Sequence, residues 1–251
     1  MNMKWDADKY ADKFSFVYQY GNSVLELLEI DKDMVILDLG CGTGTLTKKL
    51  SEMCAKAVGI DASEDLLEAA KKHYPELEFI HADATNFVLN EKVDAIFSNA
   101  VFHWIEQEKQ PELLHCIYSA LKENGQLVFE FGGYGNNRLI HLALESVFEN
   151  HHREYNMPFY FPTIGQYASL LEQSGLKVRN MSLFDRMTAL NGQNGLEDWI
   201  KMFVKKPFEG VPEDEKNTII TQALDILEKD LFHNGVWYAD YVRIRGKAIK
   251  A

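Results

Sequence analysis

The chain has 251 residues, 46% hydrophobic and 25% charged, a composition typical of a folded globular protein. Its formal net charge of −12 disfavours nucleic acid or an anionic membrane surface as a partner, because such binding needs clustered Lys and Arg. The three cysteines form no C-x-x-C pair, which argues against a disulfide framework and a zinc site and favours the reducing cytoplasm. Neither a signal peptide nor a run of about 18 apolar residues is found, so we expect no membrane span.

Strands and helices alternate through the first half of the chain. Such alternation is typical of a doubly wound, mostly parallel sheet, in which ligands bind at the carboxyl ends of the strands. In chain order the pattern predicts a helix near 23–28, strands at 34–39 and 57–60 with a helix at 44–53 between them, a helix at 63–73, strands at 77–82 and 94–99, a helix at 111–121 and a strand at 126–131.

The regular alternation of strands and helices ends at Gly133, and helices dominate the rest of the chain. We predict helices at 137–149, 163–174, 196–204 and 214–231, and two further strands at about 176–184 and 237–248. These boundaries divide the chain into N-terminal lid helices at 1–33, an α/β core at 34–133, and a segment at 134–251 whose helical insertions cover a substrate. With no repeat and no low-complexity linker, we expect one domain with a seven-stranded Rossmann-like sheet.

The stretch ILDLGCGTG, residues 36–44, places three glycines at alternate positions after an apolar strand. It lacks the lysine that a P-loop places at the phosphates. Thr45 also stands where the dinucleotide fingerprint G-x-G-x-x-G requires its third glycine, which weakens the nicotinamide interpretation. An aspartate inside the preceding strand, Asp38, suits a cationic or amino-bearing ligand better than a pyrophosphate.

Polar residues follow the next three strands of the predicted sheet. Asp61 comes about 20 residues after the glycine loop, where an acid in nucleoside-binding α/β folds accepts hydrogen bonds from the ribose hydroxyls. Asp83 follows the third strand, and Asn99 with Ala100 ends the fourth. Because these positions converge on one sheet edge, Asp83 is placed to meet an adenine amine and Asn99 to border the reacting end.

In order and spacing, ILDLGCGTG, GIDAS, ADAT and SNAVFHWI resemble the motifs of class I S-adenosylmethionine-dependent methyltransferases. The segments WDADKYADKFSFVYQYG, FHWI and WYADYVRIR are similar to the trans-aconitate methyltransferase-like group. The resemblance implies S-adenosylmethionine as cofactor, S-adenosylhomocysteine as product, and methyl transfer to a small-molecule acceptor such as a carboxylate or hydroxyl. It implies a cytoplasmic enzyme of small-molecule metabolism, a monomer or weak dimer, without nucleic-acid or membrane partners.

The resemblance also assigns cofactor contacts by position. For the methionine and ribose part, it places Asp38 near the amino group, Asp61 on the ribose hydroxyls, and the loop residues Gly40, Cys41, Gly42 and Gly44 underneath. For adenine, it places Ala62 beside the ring and Asp83 with Ala84 at the amine edge. Asn99 and Ala100 lie near the sulfonium, and Tyr10, Ser15 and Gln19 belong to a lid. No metal is predicted, because the neighbouring His151 and His152 do not share a helix face.

The sequence does not identify the methyl acceptor or the residues that bind it. Methyl transfer is an in-line displacement that needs alignment and, for some acceptors, a base. His103 is the candidate base, and its alternative is a histidine that only makes a hydrogen bond in the lid. A carboxylate acceptor needs no base but an arginine clamp, for which the candidates are Arg153, Arg186, Arg243 and Arg245. A catalytically silent cofactor-binding module and, less favoured, a nicotinamide-dependent oxidoreductase are the alternative functions.

Overall fold

A computed structural model describes residues 16–251, with side chains described from residue 21 onward. It confirms a doubly wound sheet flanked by helices. The strands are β1 (Val35–Leu39), β2 (Lys56–Asp61), β3 (Glu78–His81), β4 (Val93–Asn99), β5 (Leu121–Gly132), β6 (Leu176–Ala189), β7 (Phe232–His233) and β8 (Val236–Lys250). The helices are α1 (Phe16–Leu25), α2 (Thr45–Ser51), α3 (Glu64–His73), α4 (Gln110–Ala120), α5 (Arg138–Asn150), α6 (Ile164–Gln173), α7 (Gly195–Phe203) and α8 (Glu213–Leu231).

Seven strands form the main path of the sheet, in the order β3-β2-β1-β4-β5-β8-β6. Neighbours from β3 to β5 pair in parallel, whereas β8 runs antiparallel to both β5 and β6. The two-residue β7 pairs with β8 as an eighth strand that the sequence pattern does not predict. Strand order reverses beside β1, which places a crevice at the carboxyl ends of β1 and β4.

The central strands are buried on both faces, as their apolar runs predict. Ile36 on β1 packs with residues of α1 and α2, and Leu37 packs in the cluster on the opposite face with residues of α4 and α6. Both side chains are fully buried. Layers on both faces of the sheet hold the strand ends, and therefore the loops that follow them, at fixed positions.

Local sequence signals fix two helix starts. The hydroxyl of Ser63 accepts a hydrogen bond from the backbone N–H of Leu66, and two acidic residues follow it in the first turn of α3. Thr163 and Gln166 form a reciprocal capping box at the start of α6. Both helices therefore begin within one residue of the predicted position.

The last two long strands extend further than the sequence predicts. β6 and β8 have 14 and 15 residues, and they stay paired from Leu176 with Lys250 to Ala189 with Tyr238. Beyond the main sheet this two-stranded arm packs against α5, α7 and α8, which bury a separate hydrophobic cluster around Trp199. The cover thus has its own core. No helix within residues 16–251 is long and apolar enough to cross a membrane.

Candidate active site

A cavity of about 530 Å3 opens at the carboxyl edge of the sheet, where the loops after β1, β2, β3 and β4 meet. Its volume is that of a site for a cofactor-sized molecule. Most of the residues that the sequence predicts for the cofactor line this cavity, namely Asp38, Gly40, Cys41, Gly42, Asp61, Ala62, Asp83, Ala84, Asn99 and Ala100.

Gly40 is required by the close packing of the glycine loop. Its φ of 80° lies in the left-handed region, and a Cβ built there stands 2.1 Å from a methyl carbon of Val101. The backbone N–H groups of Gly40 and Cys41 both donate to the carbonyl of Ile60, at 2.7 and 3.0 Å. The loop is therefore tied to β2 and β4 at its first turn.

Gly42 faces the cavity instead of the protein. A Cβ at this position meets no atom within 4 Å, so a side chain here extends into the space of the cavity. Gly44 differs, because it is not a lining residue and its Cβ stands 2.6 Å from the ring of Phe79. Of the three alternating glycines, the structure thus brings Gly40 and Gly42 to the cavity, while Gly44 packs against the β3 side of the fold.

Asp61 connects the glycine loop to the following helix. Its Oδ2 accepts a hydrogen bond from the N–H of Gly42 at 2.8 Å, and its Oδ1 accepts one from the N–H of Ser63 at 2.8 Å. Burial raises the pKa of this carboxyl, and the backbone hydrogen bonds partly oppose the increase. Asp61 both shapes the loop and presents a half-buried acid to the cavity.

Asp38 is the other acid at this end of the cavity, and it is buried. Only 2% of it is exposed, and its Oδ2 accepts a hydrogen bond from the hydroxyl of Thr47 at 2.6 Å. Burial raises the pKa of Asp38 to about 7, and the nearby charge of Asp61 adds to the increase. Two acids in one desolvated site favour a ligand that carries positive charge.

Asp83 is set in place by its own loop. Its Oδ1 accepts hydrogen bonds from the backbone N–H and the hydroxyl of Thr85, at 2.8 and 2.7 Å. Burial acts to raise the pKa of Asp83, but these two bonds hold the pKa below its usual value. Asn99 lies across the cavity at the end of β4, in register with Glu130 of β5. Asp83 and Asn99 therefore lie on opposite sides of the cavity.

His103 lies next to the cavity without lining it. It belongs to the short 3-10 turn Phe102–Trp104, and its neighbours Val101 and Trp104 do line the cavity. Its Nδ1 accepts a hydrogen bond from the backbone N–H of Gly132 at 3.3 Å. Burial, and then the positive charge of Arg243, hold the pKa of His103 well below its usual value. The ring is therefore neutral with its proton on Nε2, and this environment opposes a role as base.

Three of the four candidate arginines gather at one place, beyond β5. Arg186, Arg243 and Arg245 surround the carboxylate of Glu130, which is 1% exposed. Arg153 lies elsewhere, in an ion pair with Glu215 on the cover. The structure thus brings positive charge to the β5–β8 side of the site, opposite the acids that meet at β1 and β2.

The cover contributes residues that the sequence does not single out. Pro158 and Phe203 line the cavity. Five charged residues line it as well, namely Glu106, Lys109, Lys205, Lys206 and Glu209. Lys206 forms an exposed ion pair with Glu106 at 3.2 Å, which joins the cover to the sheet edge. Such residues carry no local motif, since their role depends on contacts between segments about a hundred residues apart.

Some predicted residues lie outside the described part of the chain, and one cavity residue, Cys41, is not suited to catalysis. Tyr10 and Ser15 lie outside the described residues, as does the side chain of Gln19, whose backbone belongs to α1. Cys41 is buried, and burial raises the pKa of its thiol, which suits a packed residue better than a nucleophile. Among residues 16–251 no cluster of three His, Cys, Asp or Glu is arranged to hold a metal ion.

S-adenosylmethionine fits the residues that the cavity presents. The molecule carries an ammonium group and a sulfonium, and the buried Asp38 and the half-buried Asp61 supply the opposite charge. The open Cβ position of Gly42 leaves room for a ligand directly against the loop backbone. The cofactor is therefore expected along the β1–β4 edge.

Comparisons with known proteins agree with this geometry. Residues 36–125 match the methyltransferase domain family. An uncharacterized methyltransferase of Schizosaccharomyces pombe is 27% identical over 256 residues, 98% of this chain and 98% of that protein. A trans-aconitate 2-methyltransferase of Rhizobium rhizogenes is 29% identical over 130 residues, 51% of this chain and 50% of that enzyme.

A solved structure shows the same fold. It is phosphoethanolamine N-methyltransferase 2 of Haemonchus contortus in complex with phosphomonomethylethanolamine and S-adenosylhomocysteine, with a TM-score of 0.58 at 17% identity. The match covers 98% of this chain and 58% of that chain. The matched segment 36–125 includes Asp38, the glycine loop, Asp61 and Asp83, so the family and the cavity identify the same edge of the sheet.

Proposed function

As this chain belongs to the class I S-adenosylmethionine-dependent methyltransferases, we propose that it transfers the methyl group of its cofactor to a carboxylate of a small molecule. The tautomer of His103 carries this proposal. With Nδ1 accepting from Gly132, the Nε2 atom already holds a proton and cannot take one from an acceptor. A carboxylate is ionised at neutral pH and needs no base.

The reaction balances without proton transfer. When bound, S-adenosylmethionine supplies an electrophilic methyl group on a sulfonium. A lone pair of the carboxylate oxygen forms the new O–C bond, the C–S bond breaks, and its electron pair stays on sulfur, giving a methyl ester and S-adenosylhomocysteine. The protein has to hold the two reactants in line and keep water out.

In this proposal each acid of the cavity has a distinct role. Asp61 binds the ribose hydroxyls, Asp38 binds the amino group of the methionine part, and Asp83 with Ala84 binds the adenine edge. Asn99 lies beside the sulfonium. These assignments are supported by the lining of the cavity and by the hydrogen bonds that fix Asp61 and Asp83.

Two observations support a carboxylate acceptor. Arg186, Arg243 and Arg245 surround Glu130, whose backbone pairs in register with Asn99, and they place positive charge near the end of β4. The Rhizobium rhizogenes relative is a trans-aconitate 2-methyltransferase, and trans-aconitate is a carboxylic acid. The match to the methyltransferase family also sets aside a nicotinamide-dependent oxidoreductase.

The test is a measurement of S-adenosylhomocysteine release by the full chain. Trans-aconitate and simple di- and monocarboxylic acids are compared with neutral alcohols, phenols and amines at one concentration. We expect turnover with at least one carboxylate and formation of a methyl ester, identified by mass spectrometry. Turnover confined to alcohols, phenols or amines overturns the carboxylate assignment. Cofactor binding without turnover of any acceptor favours the catalytically silent alternative.

A further inference from the structure

Helix α1 packs directly against two residues that line the cofactor cavity. Gly21 lies inside this helix, and a Cβ built there stands 2.6 Å from a methyl carbon of Leu46 and 3.3 Å from Nδ2 of Asn99. Leu46 and Asn99 both line the cavity. Glycine destabilises a helix interior, so its presence at this contact is explained by the close approach of the two surfaces. The position of α1 therefore sets the space that the Asn99 side chain can occupy.

Arg245 joins α1 to the buried carboxylate of Glu130. Its Nη1 and Nη2 groups donate to the carbonyl and the hydroxyl of Ser23, at 3.2 and 2.8 Å. Its Nε donates to Oε2 of Glu130 at 2.7 Å. Because a guanidinium holds its donors in one rigid plane, this single side chain fixes the distance between α1 and β5.

Both partners of Arg245 favour a strong attachment. Ser23 is one of the last four residues of α1, whose carbonyls have no partner inside the helix, and a cation there complements the helix dipole. Burial acts to raise the pKa of Glu130, but the surrounding arginines hold it below its usual value. The carboxylate is therefore ionised, and its hydrogen bond with Arg245 is charge-assisted.

The series of contacts returns to Asn99. In the sheet Asn99 pairs in register with Glu130, and the N–H of the next residue, Ala100, donates to the carbonyl of Glu130 at 2.7 Å. Glu130 thus holds Asn99 through the sheet and, through Arg245 and α1, from the other side. Apolar contacts also keep α1 on the sheet, since Leu25 packs in a cluster with residues of α2 and β4. Loss of Arg245 should therefore shift α1 without releasing it.

Resting on the proposed function, which places Asn99 beside the sulfonium, we propose that Arg245 is a positioning residue for the cofactor. It acts through α1, whose contact at Gly21 holds the Asn99 side chain in place. This role differs from that of an acceptor clamp, because the Arg245 donors are directed at Ser23 and Glu130. A side chain of the last strand thereby controls a cavity residue at the end of β4.

The test is a double-mutant cycle on cofactor affinity. Binding of S-adenosylmethionine to the full chain is measured by calorimetry for the native sequence, Arg245→Met, Asn99→Ala and the double variant. We expect each single change to weaken binding by about tenfold, a typical coupling between two sites. The double variant should also be weaker by about tenfold, not by about a hundredfold, because both changes remove the same contact with the cofactor.

Arg243→Met is the matched control. It removes a positive charge from the same carboxylate, and among the described residues Arg243 has no hydrogen bond to α1. It should keep the native affinity even where it lowers the melting temperature, which separates a loss of stability from a loss of positioning. Ser23→Ala removes only the hydroxyl acceptor of Arg245 and should weaken binding less than Arg245→Met does.

Three results overturn the inference. They are native affinity in Arg245→Met, an equal loss of affinity in Arg243→Met, and losses that multiply in the double variant. The assignment of a carboxylate acceptor fails separately, because the calorimetry contains no acceptor, whereas that assignment depends on methyl ester formation in the turnover assay.

Discussion

The two ends of the site are built in different ways. At the cofactor end, side chains and loops come from residues 38–101, at the ends of neighbouring strands, and contacts such as those of Asp61 with Gly42 and Ser63 hold them in place. At the acceptor end, His103, Glu130, Arg186 and Arg243 come from four separate parts of the chain. The cofactor end is acidic and the other end basic. Under the proposed function, this separation draws a cationic cofactor and an anionic acceptor to opposite sides of one edge.

This difference predicts that substitutions at the two ends of the site affect different properties of the protein. Changes in the glycine loop should affect folding or cofactor binding, and changes beyond β5, apart from Arg245, should affect acceptor choice while the cofactor still binds. Variants at Gly40, Gly42, Asp38 and His103 test this division, from the largest expected effect to the smallest.

The largest effect is expected at the glycine loop. Gly40→Ala places a Cβ 2.1 Å from Val101 at a φ of 80°, so we expect a loss of about 2–4 kcal/mol of unfolding free energy. Gly42→Ala is the matched control, since its φ of 55° is also left-handed but its Cβ meets no protein atom. It should lose only the backbone contribution, about 1 kcal/mol, yet weaken S-adenosylmethionine binding because the methyl group occupies ligand space. Thermal unfolding and calorimetry separate the two, and equal losses of stability contradict the assignment of Gly42 to the cavity.

A medium effect is expected from the pH dependence of Asp38. Its pKa of about 7 is raised by burial, and a cationic ligand favours the ionised form, so binding has to release a proton at lower pH. S-adenosylmethionine affinity should fall by up to about tenfold for each pH unit below 7, and Asp38→Asn should bind weakly without this dependence. Calorimetry between pH 5.5 and 8.5, approximate limits set around that pKa, provides the measurement.

The same raised pKa makes a prediction about stability, with the opposite sign. A group whose folded pKa exceeds its unfolded pKa stabilises the fold at low pH, and this contribution is lost as pH rises through the folded value. Asp38→Asn should therefore unfold at a higher temperature than the native chain at pH 8, while binding the cofactor less well. A lower melting temperature at that pH argues against a desolvated carboxylate at this position.

The smallest effect is expected from His103→Gln. A glutamine side chain keeps an N–H donor, so turnover should stay within about fivefold of the native value, with no change in the pH profile near 6.5. A general base typically contributes a factor of about 100 or more, so a loss of that size at unchanged KM restores His103 as the base. Cofactor affinity is the control here, because the change lies on the acceptor side.

Local sequence was sufficient for most of the cofactor end. ILDLGCGTG and the acids Asp61 and Asp83 lie at strand ends, and strand ends of a parallel sheet meet at one edge whatever the rest of the chain does. Asp38, Asp61 and Asp83 all reached the cavity for this reason. Gly44 did not, because spacing alone cannot tell a glycine that meets a ligand from one that meets Phe79.

The sequence by itself determined the alternation of strands and helices, the helix starts at Ser63 and Thr163, and the meeting of Asp38, Asp61 and Asp83 at one cavity, because each depends on its own turn or on the strand beside it. Only the tertiary structure decided the surroundings of His103 and of the arginines. The tautomer of His103 depends on Gly132, and the arginine cluster depends on which arginines reach Glu130. The arginine contacts join strands β5, β6 and β8, whose pairing in space no local pattern specifies.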